Sequence, residues 1–133
     1  MILVDSNIIL DIVTDDPHWA PWSVMSLDRA ALTGPLSIND IVYAEVSVRF
    51  ESIEVLDDTL AILGISVDPI PRAGLFLAAK VYRRYRHSGG TRTGTLSDFF
   101  VGAHAAAKGS TLLTRHPARY RHYFPTVRLI VPD

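Results

Sequence analysis

The sequence predicts an α/β domain with a mainly parallel central sheet, and three observations support this. Short apolar runs alternate with longer segments of helical periodicity, as in folds whose parallel strands are joined by helices. The first run, MILV at 1–4, is continuously apolar, which is typical of a strand buried on both faces. The chain has 133 residues with no internal repeat and no linker, so we expect residues 1–133 to form one domain.

The first half is predicted to contain three strands and four helices. Ser6 can cap the first helix, which runs through Val13 and stops at the Asp-Asp-Pro segment 15–17. Asn39 or Asp40 can cap the third helix. The strands are expected at 1–4, 36–38 and 65–67, and the remaining helices at about 20–32, 40–48 and 53–63.

The second half continues the same alternation. A long helix is expected over about 72–86, followed by the loop HSGGTRTGT at 87–95. The next helix opens at Ser97-Asp98 and ends at Gly109, because glycine suits the left-handed position after a helix. The last predicted elements are a strand at 110–114, a short helix with Pro117 in its first turn, and a strand at 127–131.

Composition excludes several classes of protein. Hydrophobic residues make up 48% and charged residues 20%, as in soluble globular domains. No apolar run approaches the roughly 18–20 residues that span a membrane. The start lacks a basic segment and a small-residue cleavage site, so we interpret it as structure rather than as a signal peptide. Without cysteine there is no disulfide, thiolate nucleophile or Cys-based zinc site. The default expectation is a cytoplasmic protein without membrane association.

The net charge of −1 hides two halves of opposite sign. Residues 1–68 carry 12 acidic and two basic side chains, whereas residues 69–133 carry two acidic and 11 basic ones. A basic half folded beside clustered acids suits a polyanionic substrate handled through a metal. The alternative is two solvated faces of opposite sign.

Two acids lie where the chain leaves one element and enters another. Asp5 follows the first strand, and ligands of open parallel sheets bind at the carboxyl ends of strands. The alternative for Asp5 is favourable interaction with a helix dipole. Asp98 opens an Ala-rich helix, where its alternative is a capping box with Thr95.

A third acid, Glu45, lies within an apolar helical stripe. Ile41 and Val48 share its face, so an unpaired carboxylate there would be costly to bury. The alternative is an ion pair with Arg49. Taken together, Asp5, Glu45 and Asp98 would repel one another unless a divalent cation neutralised them, and hard oxygen ligands suit Mg²⁺ or Mn²⁺. Such a metal activates water and stabilises phosphodiester oxygens.

Basic and aromatic residues alternate in the second half. The basic side chains are candidates for contacts to the phosphates that flank a phosphodiester bond. Tyr82, Tyr85, Tyr120, Tyr123 and Phe124 could stack on unpaired nucleobases or form core packing. The candidate phosphate-binding residues are Arg83, Arg84, Arg86, Arg92, Arg115, Arg119 and Arg121.

Four stretches resemble one known family. VDSNIILDI at 4–12, INDIVYAEVSVRF at 38–50, LSDFFVGAHAAAKGSTLLTRHPARYRHYFP at 96–125 and VRLIVP at 127–132 resemble PIN-domain ribonucleases, above all the toxin component of the VapBC type. The resemblance covers nearly the whole chain in order. It implies a three-layer sandwich in which helices flank a small, mainly parallel sheet of four or five strands.

The resemblance also implies a function. Asp5, Glu45 and Asp98 match the family's metal-binding and catalytic acids, and Asn7 and Thr114 match accessory positions. It implies endonucleolytic cleavage of RNA, for example tRNA or rRNA, with Mg²⁺ or Mn²⁺. A homodimer and an inhibitory antitoxin partner are implied as well.

His116 departs from the family pattern, because many relatives carry a fourth acid there and Arg119 does not restore one. It could ligate a metal directly, favouring Mn²⁺. It could instead hydrogen-bond a metal-bound water, with Thr114 assisting. The third alternative is that the second metal position stays empty and the enzyme is weak or inactive. That alternative gives the rival hypothesis, a catalytically impaired PIN-fold module that binds RNA or antitoxin. A receiver-like phosphoacceptor domain is disfavoured because the acid pair after the first strand is missing.

Overall fold

The computed structural model describes residues 1–90 and 96–133, and their fold has the predicted alternation of strands and helices. Parts of the loop at 87–95, with Arg92 and Thr95, lie outside the described residues. The strands are β1 (Ile2–Val4), β2 (Leu36–Ile38), β3 (Ile65–Val67), β4 (Thr111–Leu113) and β5 (Leu129–Ile130). The helices are α1 (Ser6–Val13), α2 (Ala20–Ala31), α3 (Asp40–Ser47), α4 (Ile53–Leu63), α5 (Arg72–His87), α6 (Leu96–Lys108) and α7 (Ala118–Tyr123).

The strands form one parallel sheet in the order β3-β2-β1-β4-β5. The predicted α/β class, with a small parallel sheet of four or five strands flanked by helices, is thus confirmed. All residues of β1 and β2 are buried, as the apolar run at 1–4 predicts. The chain adds β2 and β3 on one side of β1 and then β4 and β5 on its other side. The topological switch point of the sheet therefore lies between β1 and β4.

Local signals fix most element ends. Gly64 ends α4 in the left-handed conformation at φ 72°, and Gly109 follows α6 at φ 64°. Asn39 rather than Asp40 caps α3, because its Oδ1 accepts a hydrogen bond from the Val42 amide at 2.9 Å.

Several predicted ends differ from the structure by a residue or more, and three of them have a clear local reason. Asp5, not Ser6, is the N-cap of α1, because the extended backbone after β1 aims its carboxylate at the Ser6 amide. Pro117 is likewise the N-cap of α7 and precedes its first turn. The last strand is shorter than 127–131, because the Val127 amide bonds back to the Phe124 carbonyl at 3.0 Å. In the part of the chain that the structure describes, no helix is long and apolar enough to cross a membrane.

Candidate functional site

The candidate site lies at the carboxyl edge of the sheet, at its switch point. Asp5 directly follows β1, and Thr114 directly follows the neighbouring strand β4. Asp98 lies in the first turn of α6 and Glu45 near the end of α3. Parallel strands bring their carboxyl ends to one edge, so the fold places a cluster of acids where ligands of such sheets bind.

Asp5 is buried and fully hydrogen-bonded. Its Oδ1 accepts from the Ser6 amide at 2.8 Å, and its Oδ2 accepts from Thr114 Oγ1 at 2.8 Å, the Tyr120 hydroxyl at 2.9 Å and Asn7 Nδ2 at 3.2 Å. Burial nevertheless raises the pKa of Asp5, with a smaller contribution from the charge of Asp98, while the bonds from Thr114 and Tyr120 oppose the rise. The carboxylate is held firmly in place, but its negative charge is not fully compensated.

Asp98 is only partly buried and is shared between two residues of α7. Its Oδ2 accepts from Arg119 Nη1 at 2.7 Å, and its Oδ1 is 3.5 Å from the Tyr120 hydroxyl. Burial, followed by the charges of Asp5 and Asp98, raises the pKa of Tyr120 well above its ordinary value. Tyr120 is therefore a neutral donor lying between two carboxylates.

Glu45 belongs to the same electrostatic cluster. Burial raises its pKa most, the charge of Asp5 raises it further and that of Asp98 contributes least, whereas hydrogen bonding to Ser6 and Ser97 lowers it. The ion pairs of the described residues do not include one with Arg49, so that alternative explanation of Glu45 is wrong.

The carboxylates of Asp5, Glu45 and Asp98 thus interact electrostatically, but their side chains are not arranged as a complete set of metal ligands. Within residues 1–90 and 96–133, no group of three or more His, Cys, Asp or Glu side chains is arranged so that it could hold a metal ion. The donor chemistry fits a hard divalent cation, because a cation would stabilise the ionised forms of Asp5 and Glu45, whose pKa values are raised mainly by burial and further by neighbouring carboxylates. Arg119 holds the third carboxylate, Asp98, instead.

The accessory residues connect the ends of β1 and β4. Asn7 Nδ2 is 3.4 Å from Thr114 Oγ1, and Asn7 Oδ1 accepts from the Arg115 amide at 3.1 Å. His116 is exposed, its backbone amide donates to Thr114 Oγ1, and its Nε2 lies 3.2 Å from Arg115 Nη1. Because a guanidinium only donates, His116 Nε2 accepts this bond and is oriented toward Arg115.

Arg115 is paired within the protein and is not a free surface cation, and its contact to RNA stays a prediction. Its Nε and Nη2 bind the two carboxylate oxygens of Asp11 at 2.8 and 2.7 Å. Ser23 Oγ donates to the same carboxylate at 2.8 Å, and the guanidinium lies 5.0 Å from the Trp19 ring. The pair fixes α1 against the segment that follows β4.

The other predicted phosphate-binding residues differ in exposure. Arg119 is engaged with Asp98, whereas Arg83, Arg84, Arg86 and Arg121 are exposed. Tyr85 lies 5.7 Å from the Arg119 guanidinium, so the C-terminal part of α5 borders the acidic site.

The aromatic side chains of the second half pack mainly against one another. Phe99 lies at the centre, with its ring 5.5 Å from Tyr82, 5.1 Å from Tyr85, 5.3 Å from Tyr123 and 6.3 Å from Phe124. Core packing, the second of the two interpretations, is therefore correct for this group.

Two residues of the site were not predicted in their roles. Asp11 has Ile8 three positions before it, the spacing that singled out Glu45, and the same criterion would have identified it. Tyr120 is 1% exposed, and its hydroxyl donates a hydrogen bond to Asp5. The sequence does not distinguish Tyr120 from Tyr123, because both are tyrosines among basic residues of the same predicted helix.

The fold and the site define an α/β domain that presents an acidic cluster at the switch point of a parallel sheet. The chain matches the family model described as the PIN domain over residues 2–122, and it belongs to the PIN-domain family. The predicted family is confirmed by this match.

Solved structures from bacteria share the fold. VapBC2 from Rickettsia felis, bound to a DNA fragment from its promoter, is similar at 20% identity and a TM-score of 0.76, with 100% of both chains covered. VapBC-1 from nontypeable Haemophilus influenzae matches at 16% identity and 0.71, covering 98% of each chain. FitAcB from Neisseria gonorrhoeae matches at 21% and 0.67, covering 98% of this chain and 96% of that one. No curated protein sequence matches significantly.

Proposed function

We propose that this chain is a divalent-metal-dependent endoribonuclease and the toxin component of a type II toxin–antitoxin pair. The observation that supports the proposal is the approach of Asp5, Glu45 and Asp98 at the switch point, where their charges act on one another. Membership of the PIN-domain family agrees, because PIN domains are generally nucleases.

Asp5, Glu45 and Asp98 would hold Mg²⁺ or Mn²⁺ through carboxylate oxygens. When bound, the metal would lower the pKa of a water molecule and stabilise charge on a phosphodiester oxygen. Thr114 and Tyr120 orient the Asp5 carboxylate by donating to its Oδ2. A tyrosine of ordinary pKa is already protonated near neutral pH, and the raised pKa of Tyr120 keeps it a hydrogen-bond donor at higher pH as well.

The substrate in this proposal is RNA, and a structured RNA such as tRNA or rRNA fits. The exposed Arg83, Arg84 and Arg86 lie on the helix that borders the acidic site, where they could contact phosphates on either side of the cleaved bond. Arg92 stays in the predicted set without a structural description.

The proposed protein partners are a cognate antitoxin and a second copy of the chain, in the cytoplasm. Similar folds occur in a toxin–antitoxin complex from Klebsiella pneumoniae, matched at 18% identity and a TM-score of 0.67. Val48 and Ile53 are 79% and 67% exposed, and we propose them as candidate contacts for one of these partners.

A second candidate function is a catalytically impaired module that binds RNA or antitoxin. His116 favours it, because its imidazole is oriented toward Arg115 and so does not replace the missing acid. A weak enzyme and an inactive one are separated by the following test.

The experiment measures cleavage of purified RNAs by antitoxin-free protein with Mg²⁺ and then with Mn²⁺. We expect metal-dependent cleavage that Asp98→Asn abolishes and that the exposed control Asp28→Asn leaves intact. Cleavage by His116→Asp alone would identify this chain as an impaired form of an active fold. If neither the wild type nor His116→Asp cleaves, the binding module becomes the better explanation.

A further inference from the structure

The Arg119 side chain holds Asp98 from within the chain. Arg119 Nη1 lies 2.7 Å from Asp98 Oδ2, and both side chains are about one-third exposed, at 31% and 35%. The guanidinium also lies 5.7 Å from the Tyr85 ring and 5.9 Å from the Phe99 ring. Two aromatic faces and one carboxylate therefore fix the position of this cation, unlike that of a freely moving surface arginine.

The consequence concerns the carboxylate that a metal would need. Asp98 is the third member of the acidic cluster, and one of its two oxygens already has a cationic partner. The other lies near the Tyr120 hydroxyl, which also donates to Asp5. In the described residues this arrangement coincides with the lack of any three-ligand group that could hold a metal ion.

We propose that Arg119 is an internal counter-ion that competes with the divalent cation for Asp98. A metal entering the cluster must displace the guanidinium or share the carboxylate with it, so Arg119 lowers the metal affinity of the free protein. The inference rests on the proposed function, because the competing cation is the metal of that function, and it adds a built-in control of that metal's binding.

A purely structural role for Arg119 and a competing role predict opposite changes in metal affinity when Arg119 is substituted. If Arg119 only supported the site, Arg119→Ala would loosen Asp98 and weaken metal binding. If Arg119 competes, the same substitution frees an Asp98 oxygen and removes a nearby positive charge, so metal binding becomes tighter. The sign of the change therefore separates the two roles.

The test is isothermal titration of Mn²⁺ into antitoxin-free protein, without RNA. An exposed pair of this kind is worth a factor of a few, so we expect Arg119→Ala to bind Mn²⁺ about two- to fivefold more tightly than wild type. Arg119→Lys should stay close to wild type because it keeps the charge. Arg121→Ala, an exposed arginine on the same helix, removes the same charge and should leave the affinity unchanged.

A metal-free measurement tests the pair separately. Urea unfolding of wild type, Arg119→Ala, Asp98→Asn and the double variant in EDTA should show that the two substitutions are not additive, because each removes the same interaction. Additive effects would overturn the inference at its first step.

The titration distinguishes failure of the inference from failure of the proposed function. If Mn²⁺ binds wild type but Arg119→Ala binds it equally or more weakly, the competition is wrong and the metal site stands. If Mn²⁺ binds none of these proteins, both the competition and the proposed metal site are wrong, whatever the coupling in EDTA.

Discussion

His104 is a buried imidazole placed where a positive charge is costly. The residue is 1% exposed, and its Nδ1 lies 3.2 Å from Nδ2 of Asn39, which can only donate. Burial is the largest effect and lowers the pKa of His104. The charge of Asp68 opposes it, Lys108 adds to it, and Asp40 makes a small opposing contribution. The folded protein therefore keeps this ring neutral at a pH where an unfolded chain would protonate it.

This lowered pKa predicts a stability that falls in acid. Because the unfolded chain binds the proton first, the free energy of unfolding decreases as the pH falls below the ordinary histidine value of 6.5. Urea unfolding between about pH 7.5 and 5 should show this decrease in wild type and a shallower one in His104→Gln. His122→Gln, an exposed histidine, is the control. Equal slopes for wild type and His104→Gln would contradict the prediction.

At the scale of single residues, sequence could predict charges that local structure does not require. The sequence singles out Asp5, Glu45 and Asp98 because each lies in apolar or strand-end surroundings, and in the structure their charges act on one another. The role of the Tyr120 hydroxyl cannot be predicted in this way, because the direction of a side chain on α7 depends on how that helix packs against α6 and beside Asp5. The Arg119–Asp98 pair depends on the same packing over 21 residues of separation.

At the scale of elements, the Asp11–Arg115 pair connects α1 to the segment after β4. Asp11 is 3% exposed and receives three hydrogen bonds, two of them from the Arg115 guanidinium and one from Ser23. Asn7 adds a bond to the Arg115 amide. This largely buried ion pair therefore holds α1 and the segment after β4 together at the carboxyl edge of the sheet. Within the described residues, it has no direct hydrogen bond or ion pair with the acidic cluster of Asp5, Glu45 and Asp98.

Removing one partner of this pair should be strongly destabilising. Asp11→Asn leaves the Arg115 guanidinium without its counter-ion in a largely buried position, so we expect a loss of about 3 kcal/mol in the free energy of unfolding. Chemical denaturation measures the loss. Asp28→Asn, an exposed acid on α2, should change stability by less than about 0.5 kcal/mol. If Asp11→Asn changed the free energy of unfolding by a similarly small amount, the Arg115 side chain would have moved into solvent, and the prediction would be wrong.

The order of strands and helices can be predicted because residues that end helices, such as glycine, coincide with the boundaries in the structure. Gly64 and Gly109 end their helices in conformations that favour glycine. The last strand was overestimated, because an apolar run such as 127–131 does not reveal where its backbone amides bond. On this side of β4, the Leu112 and Thr114 amides donate to the carbonyls of Arg128 and Ile130, whereas the Val127 amide bonds to Phe124 and closes the turn after α7.

At the scale of the whole molecule, the opposite charges of the two halves are partly combined at one edge. The acidic half supplies Asp5 and Glu45, while the basic half supplies Arg119 and the exposed arginines of α5. Arg29 and Arg128 are exposed near the other edge, since they precede β2 and β5 in the chain. In the proposed function, basic side chains at the carboxyl edge of the sheet should therefore contribute more to RNA binding than basic side chains at the amino edge.

This difference predicts a change in the salt dependence of RNA binding. In the Asp98→Asn background, which prevents cleavage in the proposed mechanism, Arg83→Ala with Arg86→Ala should weaken binding to single-stranded RNA. The plot of log affinity against log salt should become shallower by roughly 0.7 for each lost phosphate contact. Arg29→Ala with Arg128→Ala removes the same charge and should leave the slope nearly unchanged. Fluorescence anisotropy at several salt concentrations measures both slopes. Equal losses for the two pairs would mean that RNA responds only to net charge, and that the α5 surface beside Asp98 is not its binding site.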